Sequence, residues 1–318
     1  MNNSPFSVSI NICPYNRQNW VEDLLVSISE QTVMPKDIII VDASPEKIDY
    51  SLPKSLEIEM IKSDKMHLTY QRNLGIKAAS ENIILHLDDD TYLEKDFIEK
   101  ILEVFECDLE KKIGAVSGYI TNQWGLCEYK PGFILKLCKW VGIYDGDFPP
   151  GSVSQSGVFI ELNNLEPHTG FHRTDFISGC SFAVRSDVYK KYNHPEIINK
   201  YGGEDKTFSR MIANDWEMCV CGDAKLQHFS AEGGARQTDY SETKSTVKFH
   251  LFIQKNYGRS NQSTLRLRLY YILGALRMYM ISIIMFMSVV KIQRGLKWFM
   301  RATGYLVGAI SLLKLKNE

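Results

Sequence analysis

The chain lacks the marks of a disulfide-built or exported protein. Its 318 residues hold seven cysteines, an odd number, and no CxxC pair. Cys13, Cys127, Cys138 and Cys180 are scattered, and Cys219-x-Cys221 alternates as a strand would. Reduced thiols of a cytosolic protein are the economical reading. A zinc site from Cys219, Cys221 and His228 lacks a fourth ligand at familiar spacing. Met1-Asn2-Asn3-Ser4-Pro5-Phe6 has neither a basic start nor an apolar run, so no signal peptide is expected. No glycine-rich phosphate loop follows the first apolar run, which ends at Cys13-Pro14-Tyr15-Asn16. Acids are nearly missing from the C-terminal end. From Arg259 onward there are ten Lys/Arg against Glu318 alone, a charge of +9, and the net −1 of the whole leaves −10 for residues 1–258. Such a split suggests a charged partner for the tail.

What is present reads as an α/β protein, with 44% hydrophobic and 24% charged residues. Val8-Ser9-Ile10-Asn11-Ile12 has strand character and runs into the turn-like Pro14-Tyr15-Asn16-Arg17. Val21, Leu24, Leu25 and Ile28 then share a helical face, and Asp37–Asp42 forms a second apolar strand. Strand, helix and strand in this order imply a parallel sheet. Further strands are expected at 58–61, 82–87, 114–121, 176–184 and 218–220, with helices at 68–79, 97–105 and after Gly203. Residues 122–170 are irregular and read as an inserted loop region, in which Phe133, Ile134, Leu137, Trp140 and Val141 would form an apolar stripe.

The chemistry concentrates in His86-Leu87-Asp88-Asp89-Asp90-Thr91. Three carboxylates at a strand tip are costly unless a cation neutralises them. Oxygen-rich clusters suit Mg²⁺ or Mn²⁺, whose remaining positions take water and substrate phosphates. A solvated acidic turn is the competing reading. Ligands of open parallel sheets bind beyond the carboxyl ends of the strands, where Pro14–Arg17, Asp42 and Asp88–Asp90 all fall. A second acidic pair, Glu204-Asp205, follows Gly202-Gly203 and opens a helix, where capping alone would also favour it.

In combination these residues resemble family 2 glycosyltransferases of the GT-A fold. The resemblance rests on Pro14-Tyr15-Asn16-Arg17, Ser27-Ile28-x-x-Gln31-Thr32, Ile39-Ile40-Val41-Asp42, Arg72-Asn73-x-Gly75-Ile76, Asp88-Asp89-Asp90 and Gly203-Glu204-Asp205-x-x-Phe208. It covers roughly residues 5–235 and implies a Rossmann-like, mixed but mainly parallel sheet flanked by helices. The implied catalytic domain spans 1–258, with a nucleotide-sugar half at 5–120 and an acceptor half at 121–258. The resemblance further implies donor contacts from Pro14, Tyr15, Asn16, Arg17, Asp42, Arg72, Asp88 and Asp89. It assigns a divalent metal, Mn²⁺ or Mg²⁺, to Asp90 and His228. Asp205 is the implied general base, supported by Glu204. The implied reaction is inverting transfer of one sugar from a nucleotide-sugar to a glycan or lipid-linked acceptor, in bacterial envelope polysaccharide synthesis. Nucleic acid is not an expected partner. Two features depart from the family. One carboxylate of the usual acidic pair is replaced in Asp42-Ala43-Ser44, and the QxxRW string of processive members is missing, Gln293-Arg294-Gly295-Leu296-Lys297-Trp298 not matching it. The alternatives are a sugar nucleotidyltransferase and a non-catalytic, membrane-associated module of the same fold.

Residues 259–318 form a basic, apolar helical tail. Leu269–Val290 is long enough to cross a bilayer and holds one charge, Arg277. Its ten Leu/Ile/Phe/Val residues favour insertion by roughly 3–6 kcal/mol, against roughly 3 for the central arginine. Crossing would also export Lys291, Arg294, Lys297 and Arg301 if the rest is cytosolic, against the positive-inside tendency. The expectation is an in-plane helix with Arg266, Arg277 and Lys291 on one face, docked on the cytoplasmic face of the inner membrane. A buried helical hairpin is the alternative.

Overall fold

A computed structural model describes residues 5–124, 148–196, 203–230, 239–260, 262–287 and 291–311. The stripe expected from Phe133 to Val141, and also Cys127, Cys138 and Gly202, lie outside the described residues. The described residues group into two compact units. One draws on Met1–Cys127, Leu162–Asn199 and Glu204–Gly234, the other on Glu128–Glu161, Lys200–Gly203 and Ala235–Glu318.

The first unit is a mixed α/β sheet with flanking helices. Its strands are β1 (Val8–Ile12), β2 (Asp37–Asp42), β3 (Ile58–Lys62), β4 (Ile83–Leu87), β5 (Thr91–Leu93), β6 (Ile113–Ile120), β7 (Phe171–Thr174), β8 (Ser181–Arg185) and β9 (Glu217–His228). Its helices are α1 (Gln18–Ser29), α2 (Leu68–Ala78), α3 (Phe97–Cys107), α4 (Ser186–Tyr189) and α5 (Glu204–Ile212). The sheet order is β3-β2-β1-β4-β8-β6-β9-β5, with β7 also paired to β9. The first four strands are mutually parallel, and β8 runs antiparallel between β4 and β6. The central strands β1 and β4 are buried along their whole length, as a sheet covered on both faces requires. A polar residue, Asn11, sits inside β1. Its amide donates to the Arg72 carbonyl at 3.0 Å, and Gly75 of α2 leaves room for it, since a Cβ there would lie 2.2 Å from Asn11 Oδ1.

Two differences from the sequence reading bear on the site. The last strand is not three residues but twelve, reaching His228. A short strand, β5, turns back immediately after Asp90 and pairs antiparallel with the end of β9, Thr91 opposite His228. The strand expected at 176–184 begins only at Ser181, and Ser178–Cys180 forms a turn before it.

The second unit holds α6 (Asp239–Tyr257), α7 (Thr264–Phe286) and α8 (Ile292–Ile310). Helix α6 thus groups with the tail helices in this unit. Val158, Val247, Leu251, Leu267, Tyr271 and Ala309 form the unit's buried cluster. Among the described residues one helix, α7, is long and apolar enough to cross a membrane. The expected single face of Arg266, Arg277 and Lys291 does not form. Helix α7 ends at Phe286, and Lys291 is the N-cap of α8, so only the two arginines share a face.

Candidate active site

Three parallel strands end side by side. The register sets Ile12 of β1 against Ile40 of β2 and Leu87 of β4, so the chain leaves them at Cys13, Asp42 and Asp88 along one edge. Beyond that edge the β5–β9 pairing carries His228 to the acidic run. His228 Nε2 lies 3.2 Å from Asp90 Oδ1, and the Phe229 N–H donates to the Asp90 carbonyl at 3.0 Å. Ligating atoms of Asp88, Asp90 and His228 lie within 4.8 Å of one another. Two carboxylates and an imidazole on one side, with Asp88 partly open to solvent, are a donor set that fits Mn²⁺ or Mg²⁺ and leaves positions for phosphate oxygens.

The remaining charges are arranged around this cluster. Arg17 Nη1 is 2.8 Å from Asp89 Oδ1 and 3.2 Å from Asp90 Oδ2. Burial nevertheless pushes the Asp89 carboxyl up to about 7, with Arg17 opposing. Burial pulls the His228 imidazole down, but hydrogen bonds to Asp90 and Cys180 outweigh it and carry the group up to about 11. A cation bound at His228 Nε2 would displace the proton of this imidazole. Its other nitrogen, Nδ1, lies 3.0 Å from the side-chain nitrogen of Gln123, and the Asn122 amide donates to the His228 carbonyl at 3.1 Å. Residues 122 and 123 gave no signal in the sequence because they follow β6 in an irregular stretch.

Arg72 is not at the surface. Its guanidinium is 2% exposed, 3.3 Å from Asp88 Oδ1 and 3.6 Å from Glu204 Oε1, and it donates to the Gly179 carbonyl at 2.8 Å. It thus stands between the acidic run at Asp88 and the Glu204-Asp205 pair. The turn before β8 closes the same connection. The Cys180 carbonyl accepts from the Asp88 N–H at 2.8 Å, while a Cβ on Gly179 would stand 3.2 Å from Asp205 Oδ2. Asp205 opens α5 and accepts the Lys206 N–H at 2.7 Å, so it serves the helix as well. Burial, then the charge of Glu204, pushes its carboxyl up to about 6, with Lys206 opposing.

Asp42 is less available than the sequence implied. One oxygen accepts from the Ser44 N–H and hydroxyl at 2.7 and 2.5 Å, the other from the Tyr50 hydroxyl at 3.2 Å. Ser44 also accepts the Asn16 N–H at 2.8 Å and so ties the β1 turn to the β2 turn. Asn16 itself holds a left-handed φ of 53°. The Pro14 carbonyl accepts from Gln71 and from the Ala43 N–H, both at 3.3 Å. Tyr15 and Asn16 are the open positions of this turn, half-buried and exposed respectively.

The family model for glycosyl transferase family 2 matches residues 9–193. The chain belongs to glycosyl transferase family 2. Among its relatives, an uncharacterized glycosyltransferase of Bacillus subtilis, YwdF, is 39% identical over 31% of this chain and 38% of that protein. The glucosyl-dolichyl phosphate glucuronosyltransferase of Haloferax volcanii is 22% identical over 66% of this chain and 72% of its own. The alignments with the first relatives therefore differ widely in reach, the first spanning well under half of that protein. Among solved structures, GalNAc-T7 with UDP, GalNAc and Mn²⁺ superposes with a TM-score of 0.56 at 14% identity, covering 78% of this chain and 48% of that one. The 1–349 fragment of S. aureus TarS in complex with UDP-GlcNAc gives 0.55 at 14% identity, covering 96% and 82%. These likenesses establish the GT-A fold for this member of family 2.

Proposed function

We propose that this family 2 member is a metal-dependent, inverting glycosyltransferase that moves one sugar from a nucleotide-sugar donor to a glycan or lipid-linked acceptor. One observation carries the reading: the Asp88–Asp90–His228 cluster and Asp205 are joined through Arg72 and the Gly179–Cys180 turn. Asp88, Asp90 and His228 would hold the ion, which when bound supplies charge neutralisation for the diphosphate. Pro14, Tyr15, Asn16 and Arg17 border the donor side, with Asp42 and Asp89 fixing the turns beneath it. Asp205 takes the acceptor hydroxyl proton as the new bond to the anomeric carbon forms. The bond from that carbon to the diphosphate oxygen breaks with its electron pair, and the nucleoside diphosphate leaves. Glu204 acts through Arg72 and through its charge on Asp205. One base suffices because no covalent sugar–enzyme bond is formed.

The relative that acts on a glucosyl-dolichyl phosphate supports a lipid-linked acceptor. The basic tail supports a peripheral position on the cytoplasmic membrane face, in envelope polysaccharide synthesis. A panel of nucleotide-sugars with Mn²⁺ tests the reading by thermal stabilisation, since binding to the folded state raises stability by mass action. The expected result is one donor that stands out and is turned over with release of nucleoside diphosphate. Pyrophosphate release would replace the reading with a nucleotidyltransferase. Binding of no donor would leave a non-catalytic module.

A further inference from the structure

We infer that α7 and α8 together form an apolar platform with cationic edges that lies flat on an anionic membrane surface. The inference rests on the proposed membrane-side acceptor and adds which face docks and on what lipid. The two helices are antiparallel partners. Arg268 near the start of α7 donates to the carbonyls of Ala309 and Ser311 at the end of α8, and Ser282 near the end of α7 donates to the Gly295 carbonyl at 2.8 Å. Between them Tyr279 OH meets Thr303 Oγ1 at 2.9 Å. On α8 a second face is taken by α6. A Cβ on Gly304 or Gly308 would strike Thr243 or Val247.

The faces left over are apolar. Leu276, Met280 and Ile283 of α7 are 50–62% exposed, and Leu296, Met300 and Ile310 of α8 are 37–63% exposed. At about 100° per residue, each stripe is centred roughly a third of a turn from its helix's line of contact with the other. The offsets have the same sense along the two sequences, and because the helices run in opposite directions both stripes open on the same side. That side is the one away from α6. A face two helices wide and about 34 Å long exceeds what a soluble monomer leaves bare.

Charge names the occupant. Arg266 and Arg277 fall about 20° apart, along one edge of the α7 stripe. Lys291, Arg294 and Lys297 cluster where α8 begins, all exposed. Neither helix contains an aspartate or glutamate. A second copy of this chain would bring cations against cations, whereas an anionic headgroup layer complements them. Spanning is disfavoured because α8 carries Arg294, Lys297 and Arg301, and Arg301 is paired to Asp239 of α6 at 2.9 Å. In the plane of the interface these charges stay at headgroup level.

Co-sedimentation of the full chain with phosphatidylcholine vesicles, with and without phosphatidylglycerol, tests this. Binding is expected only with phosphatidylglycerol and should weaken as salt is raised. Arg277→Gln with Lys297→Gln should weaken it about 25-fold, taking about fivefold per charge. Ile283→Asn with Leu296→Asn should abolish it; Lys297, Ile283 and Leu296 are exposed and Arg277 is half-buried, and thermal unfolding of both pairs should match the native chain. No binding to the anionic vesicles, or unchanged binding by either pair, would overturn the platform. So would a lipid-free oligomer that the Ile283/Leu296 pair dissolves into monomers, because the face would then join copies of the chain. Release of nucleoside diphosphate with a water-soluble acceptor should be unchanged in both pairs. Its absence from the native chain would count against the transfer reading alone.

Discussion

His228 Nε2 and Asp90 Oδ1 lie 3.2 Å apart because β5 folds back directly after Asp90 and pairs with the last residues of β9. The proposed metal-binding pair is therefore a product of strand register. Gln123 fixes the other side of the ring. Its side-chain nitrogen lies 3.0 Å from Nδ1 and donates to the His228 carbonyl at 3.3 Å, which orients the imidazole toward Asp90. Gln123→Ala is expected to weaken Mn²⁺ binding about 10- to 100-fold in calorimetry while leaving the fold intact.

The Asp205 carboxyl, raised to about 6, sets a pH dependence. The proposed base Asp205 must be deprotonated, so transfer should fall as pH drops through about 6 and level off above it. Asp205→Asn should remove that limb and lower turnover about 10²- to 10⁴-fold, with donor affinity retained. Stability carries a second sign. A carboxyl whose folded value lies above its unfolded one is destabilising once ionised. Asp205→Asn should then hold its melting temperature against the native chain best at pH 8, and lose that relative advantage as pH falls below about 6. A pH-rate series and melting curves of both proteins check this.

Gly179 faces Asp205, the proposed base, closely. A methyl group there would stand 3.2 Å from Asp205 Oδ2, tighter than ordinary contact. Gly179→Ala should displace the carboxylate and reduce kcat, leaving the Km for the donor nearly unchanged, which steady-state kinetics at saturating acceptor would show.

Much of this was legible in the sequence, for identifiable reasons. The buried parallel strands declared themselves by short runs rich in Ile and Val, and the acids at their tips by cost. Ser27 and Gln31, read only as parts of a motif, have a structural task. Ser27 Oγ accepts the Leu93 N–H at 3.3 Å and Gln31 Oε1 accepts the Ile98 N–H at 3.0 Å, which anchors β5 and the first turn of α3. Pairing could not be read. Three-residue β5 has no periodicity to detect, the reach of β9 to His228 is hidden by Asp223, Lys225 and Gln227, and no local pattern marks Arg72 as a cation that the fold buries.

Arg72 carries a stability consequence. Arg72→Met would leave Asp88 and Glu204 without their shared guanidinium, a loss on the order of 3–5 kcal/mol. At about 2–4 °C per kcal/mol, calorimetry should show melting lowered by roughly 6–20 °C. Arg72→Lys should recover only part of this, since an ammonium cannot reach both acids and the Gly179 carbonyl in one plane.

The most direct measurement is Mn²⁺ titration by calorimetry of the native chain, of Asp90→Asn and of His228→Gln, each with nucleoside diphosphate present. The account predicts a single ion bound by the native chain, with proton release, and binding lost in both variants. A native chain that takes up no ion, or variants that bind it as the native chain does, would contradict it.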